Sequence, residues 1–124
     1  AKDYVEMQWM MLQQDVAADY VIASGQQYTV RDFVEMAGEA LDMTIKFKGT
    51  DIHEKGYDQN GQCIIEVDPL YFRPAEVENL LGSSKKAEIE LGWKPKIKIQ
   101  DLVNEMCESD YKAALKEAKG YFGN

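Results

Sequence analysis

A chain of 124 residues, 45% of them hydrophobic, can close one core and is too short for two ordinary ones, so residues 1–124 read as a single domain. Its formal net charge of −8 argues against general binding to nucleic acid or to an anionic membrane, because nothing would drive counterion release from phosphates. No apolar run approaches the roughly 18 residues of a membrane span and no basic, apolar leader stands at the start, which predicts a soluble, cytoplasmic protein.

The first predicted helix runs from about Ala1 to Ala17, with Val5, Trp9, Leu12 and Val16 on one face at the helical period. That stripe is expected to pack on the chain's own core. Tyr4, Met7, Met10 and Met11 fall on the other side, leaving a narrow polar strip at Asp3, Glu6, Gln13 and Gln14. A helix apolar nearly all round implies cover on both sides, so the Met face is expected to meet something outside the chain. On this reading the chain is part of a larger object.

The run Asp19-Tyr20-Val21-Ile22-Ala23 reads as a buried strand. Thr29, with Asp32 three residues on, forms an approximate capping box for a helix whose apolar stripe is Val30, Phe33, Val34, Ala37 and Leu41. Thr44 to Lys48 alternates as a half-exposed strand does, and Cys63 to Val67 is a further strand. The polar stretch between Gly49 and Gln62 reads as a loop with a turn at Asn60-Gly61. Ser83 is expected to cap a short helix ending at Leu91, with Gly92 as its left-handed stop and Trp93 packing back on it. A last helix covers about Ile99 to Lys119, with Ile99, Leu102, Val103, Met106 and Ala113 as its apolar face. The fold class is therefore α/β, a small sheet of about three strands with four to five helices.

Chemistry is concentrated in Tyr71-Phe72-Arg73-Pro74-Ala75-Glu76-Val77-Glu78. Pro74 disfavours the α region for Arg73 and suits the first turn of a helix that brings Glu76 over the same cleft. A guanidinium and a carboxylate so placed can hold a phosphate and a sugar hydroxyl. The same pattern also occurs as an ordinary surface turn into a helix. Arg31 and Arg73 are the two arginines of the chain, and planar, bidentate anion recognition favours Arg over the Lys used elsewhere. Arg31, in a first helical turn where the dipole disfavours a cation, reads as a solvated residue facing Glu35.

His53, the one histidine, lies in the polar loop between Asp51 and Glu54 without metal-ligand spacing, so no metal is expected. Cys63 and Cys107 read as reduced packing residues. No glycine-rich phosphate loop follows a strand, and no Tyr-x-x-x-Lys pair is present. No cofactor is expected on this chain, and catalysis by it alone is not expected.

The segments Asp3 to Gln13, Tyr28 to Val34, Tyr71 to Glu78 and Leu91-Gly92-Trp93-Lys94-Pro95 together resemble the C-terminal, substrate-binding part of the GDP-mannose 4,6-dehydratase family of extended short-chain dehydrogenase/reductases. The resemblance implies that Arg73 contacts phosphate or ribose oxygens of GDP or GDP-mannose and that Glu76 accepts hydrogen bonds from ribose hydroxyls. It also implies a Rossmann portion, absent from these residues, that binds NADP and carries the catalytic groups of this deoxysugar-forming lyase. The alternative is a detached interaction or homo-oligomerisation module using the Met-rich face of the first helix.

Overall fold

The computed structural model describes residues 1–73 and 80–121. Among them, four α-helices accompany a three-stranded antiparallel sheet of order β1-β2-β3, an α/β fold. The elements are α1 (Lys2–Leu12), α2 (Val30–Ala40), β1 (Lys46–Lys48), a 3-10 turn (Asp51–His53), β2 (Lys55–Tyr57), β3 (Cys63–Glu66), α3 (Lys85–Leu91) and α4 (Ile99–Tyr121). The described residues fall into two compact units, 1–28 with 80–98 and 29–73 with 99–121.

In the first unit the core is Met7, Ala87 and Trp93, with Met10, Met11, Tyr20, Ile22 and Leu91 packed against it. The two faces of α1 are thus the reverse of the sequence expectation. Met7 is fully buried, whereas Val5, Trp9 and Leu12 are 61%, 63% and 81% exposed. The helix is also shorter than expected, ending at Leu12 where Gln13 and Gln14 turn back to bond the carbonyls of Trp9 and Met10. Such side-chain competition for the last carbonyls favours termination.

Asp3, read from the sequence as part of a polar strip, is buried. Its Oδ2 accepts the backbone N–H of Lys96 and of Ile97, each at 2.9 Å, and its backbone oxygen accepts the Trp93 indole N–H at 3.0 Å. Glu6, one turn on, pairs with the Lys96 ammonium at 2.6 Å. Charge-assisted bonds to backbone donors are the strong kind, so one acidic residue fixes the direction in which α1 meets the 93–97 segment.

Gly92 takes the left-handed conformation (φ +69°) after α3 as expected, its N–H and that of Trp93 bonding the carbonyls of Glu88 and Ala87. This reversal is what sends Trp93 back into the core. The helix starts one residue later than expected, after Ser84, whose side chain makes no cap bond. The run 19–23 is no strand. Tyr20 and Ile22 still contribute to the core, and Val21 and Ala23 lie against Gly82, where an added Cβ would come within 2.8 Å of the Ala23 Cβ. Tyr20 Oη donates to Glu90 at 2.9 Å, which raises its pKa, and its ring carries the Lys86 ammonium at 4.7 Å.

In the second unit, α2 begins with the complete capping box predicted. Thr29 Oγ1 accepts the Asp32 N–H at 3.0 Å and the Asp32 carboxylate accepts the Thr29 N–H at 2.8 Å. These bonds, the backbone one first, lower the Asp32 pKa. The helix packs on α4, where Val103 is buried and Cys107 lies near the Ala37 carbonyl. Gly38 is buried because Ile45 and Met43 close over it; an added Cβ would sit 2.9 Å from each.

β2 lies inside the stretch read as a loop. Lys-Gly-Tyr carries no apolar alternation, yet it pairs with both β1 and β3. Gly56 is buried at its centre, where Ile45, Phe47 and Ile65 cross over the missing side chain. The turn at Asn60-Gly61 forms as expected, with Asp58 accepting the N–H of Asn60 and Gln62 and Gly61 at φ +81°. Cys63, expected in packing, is exposed on β3, because the register shift between Gly56 and Tyr57 puts it on the face opposite Ile65. No helix among the described residues is long and apolar enough to cross a membrane.

Candidate functional site

The segment that follows β3 is shaped by Asp68 and Pro69. The Asp68 carboxylate accepts the Leu70 N–H at 2.9 Å, and its carbonyl accepts the Tyr71 N–H at 3.1 Å. Asp followed by Pro is the pairing that a tight turn prefers, since the acid caps its own backbone and Pro presets φ. The turn turns Leu70 and Tyr71 out to solvent and half-buries Phe72, and Arg73 follows it at the surface. Arg73 has interactions of its own. Pro74 and Glu76 lie outside the described residues.

Arg31 is engaged differently from the sequence expectation. Its guanidinium pairs with Glu54, not Glu35, and stands 5.4 Å from the centroid of the Phe47 ring. Glu54 follows the 3-10 turn and Phe47 is the central residue of β1, so this arginine clips the start of α2 to the sheet. An exposed pair of this kind contributes about 0–1 kcal/mol and a cation–π contact about as much. A structural role accounts for Arg31.

His53 is exposed on the 3-10 turn, and among the described residues no three His, Cys, Asp or Glu side chains converge as metal ligands. Across β2 and β3, Lys55 donates to Glu66 at 2.9 Å, which raises the lysine pKa and ties the strand ends together. An open groove of about 530 Å³ lies between the end of α2 and α4, lined in part by Leu41, Met43, Cys107 and Tyr111. Arg73 is not among its described lining residues.

The sequence singles out Arg73 through its rarity and its neighbouring proline, and Asp68, which builds the turn before it, was missed. The signal was present in the Asp68-Pro69 dipeptide. Glu54 carried no local signal, since its partner lies 23 residues away.

Residues 1–106 match the family described as GDP-mannose 4,6 dehydratase. The GDP-mannose 4,6-dehydratase of Vibrio cholerae is 46% identical over 129 aligned positions, which cover 95% of this chain and 35% of that protein. GDP-mannose 4,6 dehydratase 2 of Caenorhabditis elegans is 46% identical over 118 positions, 95% of this chain and 30% of its own length. The protein of the same activity from Sinorhizobium fredii is 48% identical over 89% of this chain and 32% of its own. The chain spans about a third of the length of these relatives.

Proposed function

The chain belongs to the GDP-mannose 4,6-dehydratase family, and on that premise we propose that it is the C-terminal, nucleotide-sugar-holding part of such an enzyme. In this reading Arg73 grips diphosphate or ribose oxygens of GDP-mannose and Glu76 accepts hydrogen bonds from ribose hydroxyls. The parent reaction removes water from GDP-mannose to give GDP-4-keto-6-deoxymannose. NADP would be held by a Rossmann portion outside these residues and would supply the hydride-transfer chemistry. Within residues 1–124 the role is recognition.

The observation that carries the proposal is the surface position of Arg73 after the Asp68-Pro69 turn, within the stretch matched to the family. A planar fork on an extended backbone can contact two oxygens at once, whereas Lys offers a point charge. The competing docking module relied on an outward Met face, and Met7 is buried with Met10 and Met11 packed on the core.

Calorimetric titration of the chain with GDP, up to millimolar ligand, tests the reading. Loss of one charge-assisted contact is worth about 1.5–3 kcal/mol, so Arg73→Ala should weaken binding about tenfold to a hundredfold, and Arg73→Lys should recover part of it. Binding that is unchanged in Arg73→Ala would remove Arg73 from the site.

A further inference from the structure

The side of α4 turned away from α2 carries a stripe of charge whose sign changes once. Asp101, Glu105, Glu108, Lys112, Lys116 and Lys119 follow one another at steps of three or four residues, so they lie on one side of the helix, and all are exposed. Asp110 and Glu117, the other charged residues of α4, fall on the opposite side with Val103 and Cys107, which pack toward α2.

A single helix gives little reason for this order. The macrodipole favours acid in the first turn and base in the last, and its influence fades beyond those turns. Glu105, Glu108 and Lys112 lie further in. Along the stripe, Asp101 and Glu105, Glu105 and Glu108, Lys112 and Lys116, and Lys116 and Lys119 are neighbours of like charge, which repel at these spacings. Attraction within the helix comes where the sign changes, at the ion pair of Glu108 with Lys112.

We propose that this stripe is the contact between two antiparallel copies of α4, related by a twofold axis at the level of residue 110. Reversal about that axis sets Asp101 against Lys119, Glu105 against Lys116 and Glu108 against Lys112, so each charge of the stripe meets its opposite across the interface. A twofold contact needs a surface complementary to itself, and this one is. A wholly acidic or wholly basic partner would be repelled by one half of it.

The side chains beside the stripe fit the same arrangement. Leu102, Met106, Ser109 and Ala113 have the alternating spacing of a coiled-coil seam. Leu102 and Met106 are 36% and 42% exposed, while the short Ser109 and Ala113 lie in an open depression bordered by Glu105, Glu108, Lys112 and Lys116. The same axis puts Met106 of one copy over Ala113 of the other, a long side chain on a short one. The net charge of −8 on each copy opposes the approach, yet charges more than about 10 Å apart are largely screened at 0.1 M salt. One helix pair is at the small end of specific interfaces, below about 1,200 Å², so the dimer is weak. Neither Arg73 nor GDP enters this contact, which stands apart from the proposed function.

Sedimentation equilibrium of the chain at about 0.1 M salt tests it. The parent should shift from monomer to dimer below about 1 mM chain; a parent that stays monomeric to that concentration overturns the inference. Lys112→Glu with Lys116→Glu makes the stripe wholly acidic, and Glu105→Lys with Glu108→Lys makes its centre basic. Each double variant alone should dimerise at least about tenfold more weakly than the parent, and an equimolar mixture of the two should recover the dimer, since every reversed charge then faces its opposite. Reversed chains that dimerise as the parent does, or that stay apart when mixed, overturn it. The unsubstituted chain supplies a second readout. A carbodiimide joins a carboxylate to an amine in direct contact, and Glu105 and Lys116 of one helix are about 16 Å apart, so a Glu105–Lys116 link can form only between copies. Mixed light and nitrogen-15 chains should give that link as a hybrid-mass peptide, and a cross-linked dimer without it overturns the antiparallel contact.

Discussion

Replacing Asp3 by Ala tests the claim that one carboxylate joins the two ends of the first unit. The substitution removes the acceptor of the Lys96 and Ile97 N–H groups, each bonded at 2.9 Å and partly buried. A hydrogen bond to an ionised group contributes about 1.5–3 kcal/mol, and water can reach a partly buried donor once the carboxylate is gone, so the pair together is worth about 2–3 kcal/mol. With a urea dependence of about 1.5 kcal/mol per M for a small domain, the unfolding midpoint should fall by roughly 1.3–2 M. Asp3→Asn keeps an oxygen that can accept and loses only the charge, so its midpoint should fall about half as far. Urea titrations followed by far-ultraviolet circular dichroism and by tryptophan emission measure both. An Asp3→Ala midpoint within about 0.3 M of the parent, with the slope unchanged, would refute the argument that these bonds hold the unit together.

Three further outcomes are expected. Gly49 has φ +88°, and a Cβ there would lie 2.4 Å from the His53 carbonyl oxygen, so Gly49→Ala should cost more than the about 1–2 kcal/mol of the left-handed conformation alone; a midpoint equal to the parent's would mean the corner is built otherwise. The Asp32 carboxyl has a lowered pKa in the folded chain, so its contribution is present above the unfolded value of about 4 and is lost as pH falls through the folded one. The stability gap between parent and Asp32→Ala should therefore be open at pH 6 and close in the acid range below about pH 4, as urea midpoints across pH will show. Arg31→Ala should cost no more than about 1–2 kcal/mol, from an exposed pair with Glu54 and a contact with Phe47, and should leave GDP affinity where it was. Equal losses of GDP binding in Arg31→Ala and Arg73→Ala would dissolve the division of labour between the two arginines.

Much of the fold was legible because its signals are local. The Thr29 and Asp32 box, the Gly92 stop and the Gly61 turn each depend on residues within a few positions, and each forms as read. What was not legible depends on distant partners. Both sides of α1 are apolar, and which one faces inward is decided by Trp93 and by the Asp3 bonds to residues more than 90 positions away. β2 has no pattern of its own because its middle residue must be small to pass beneath Phe47 and Ile65. The run 19–23 had the composition of a strand and found a glycine to lie against instead of a ladder. For the site, Arg73 lies at the surface, Arg31 acquired a partner no local rule predicts, and Glu76 lies beyond the described residues.

The bonds from Asp3 to the 93–97 segment have a temporal side. A ribosome adding about 5–20 residues per second needs roughly 5–20 s to travel from the first turn of α1 to its partners. Through an interval of that length Met7 lacks Ala87 and Trp93, with which it forms the buried core. Closure of this core is therefore timed by translation of the 93–97 segment.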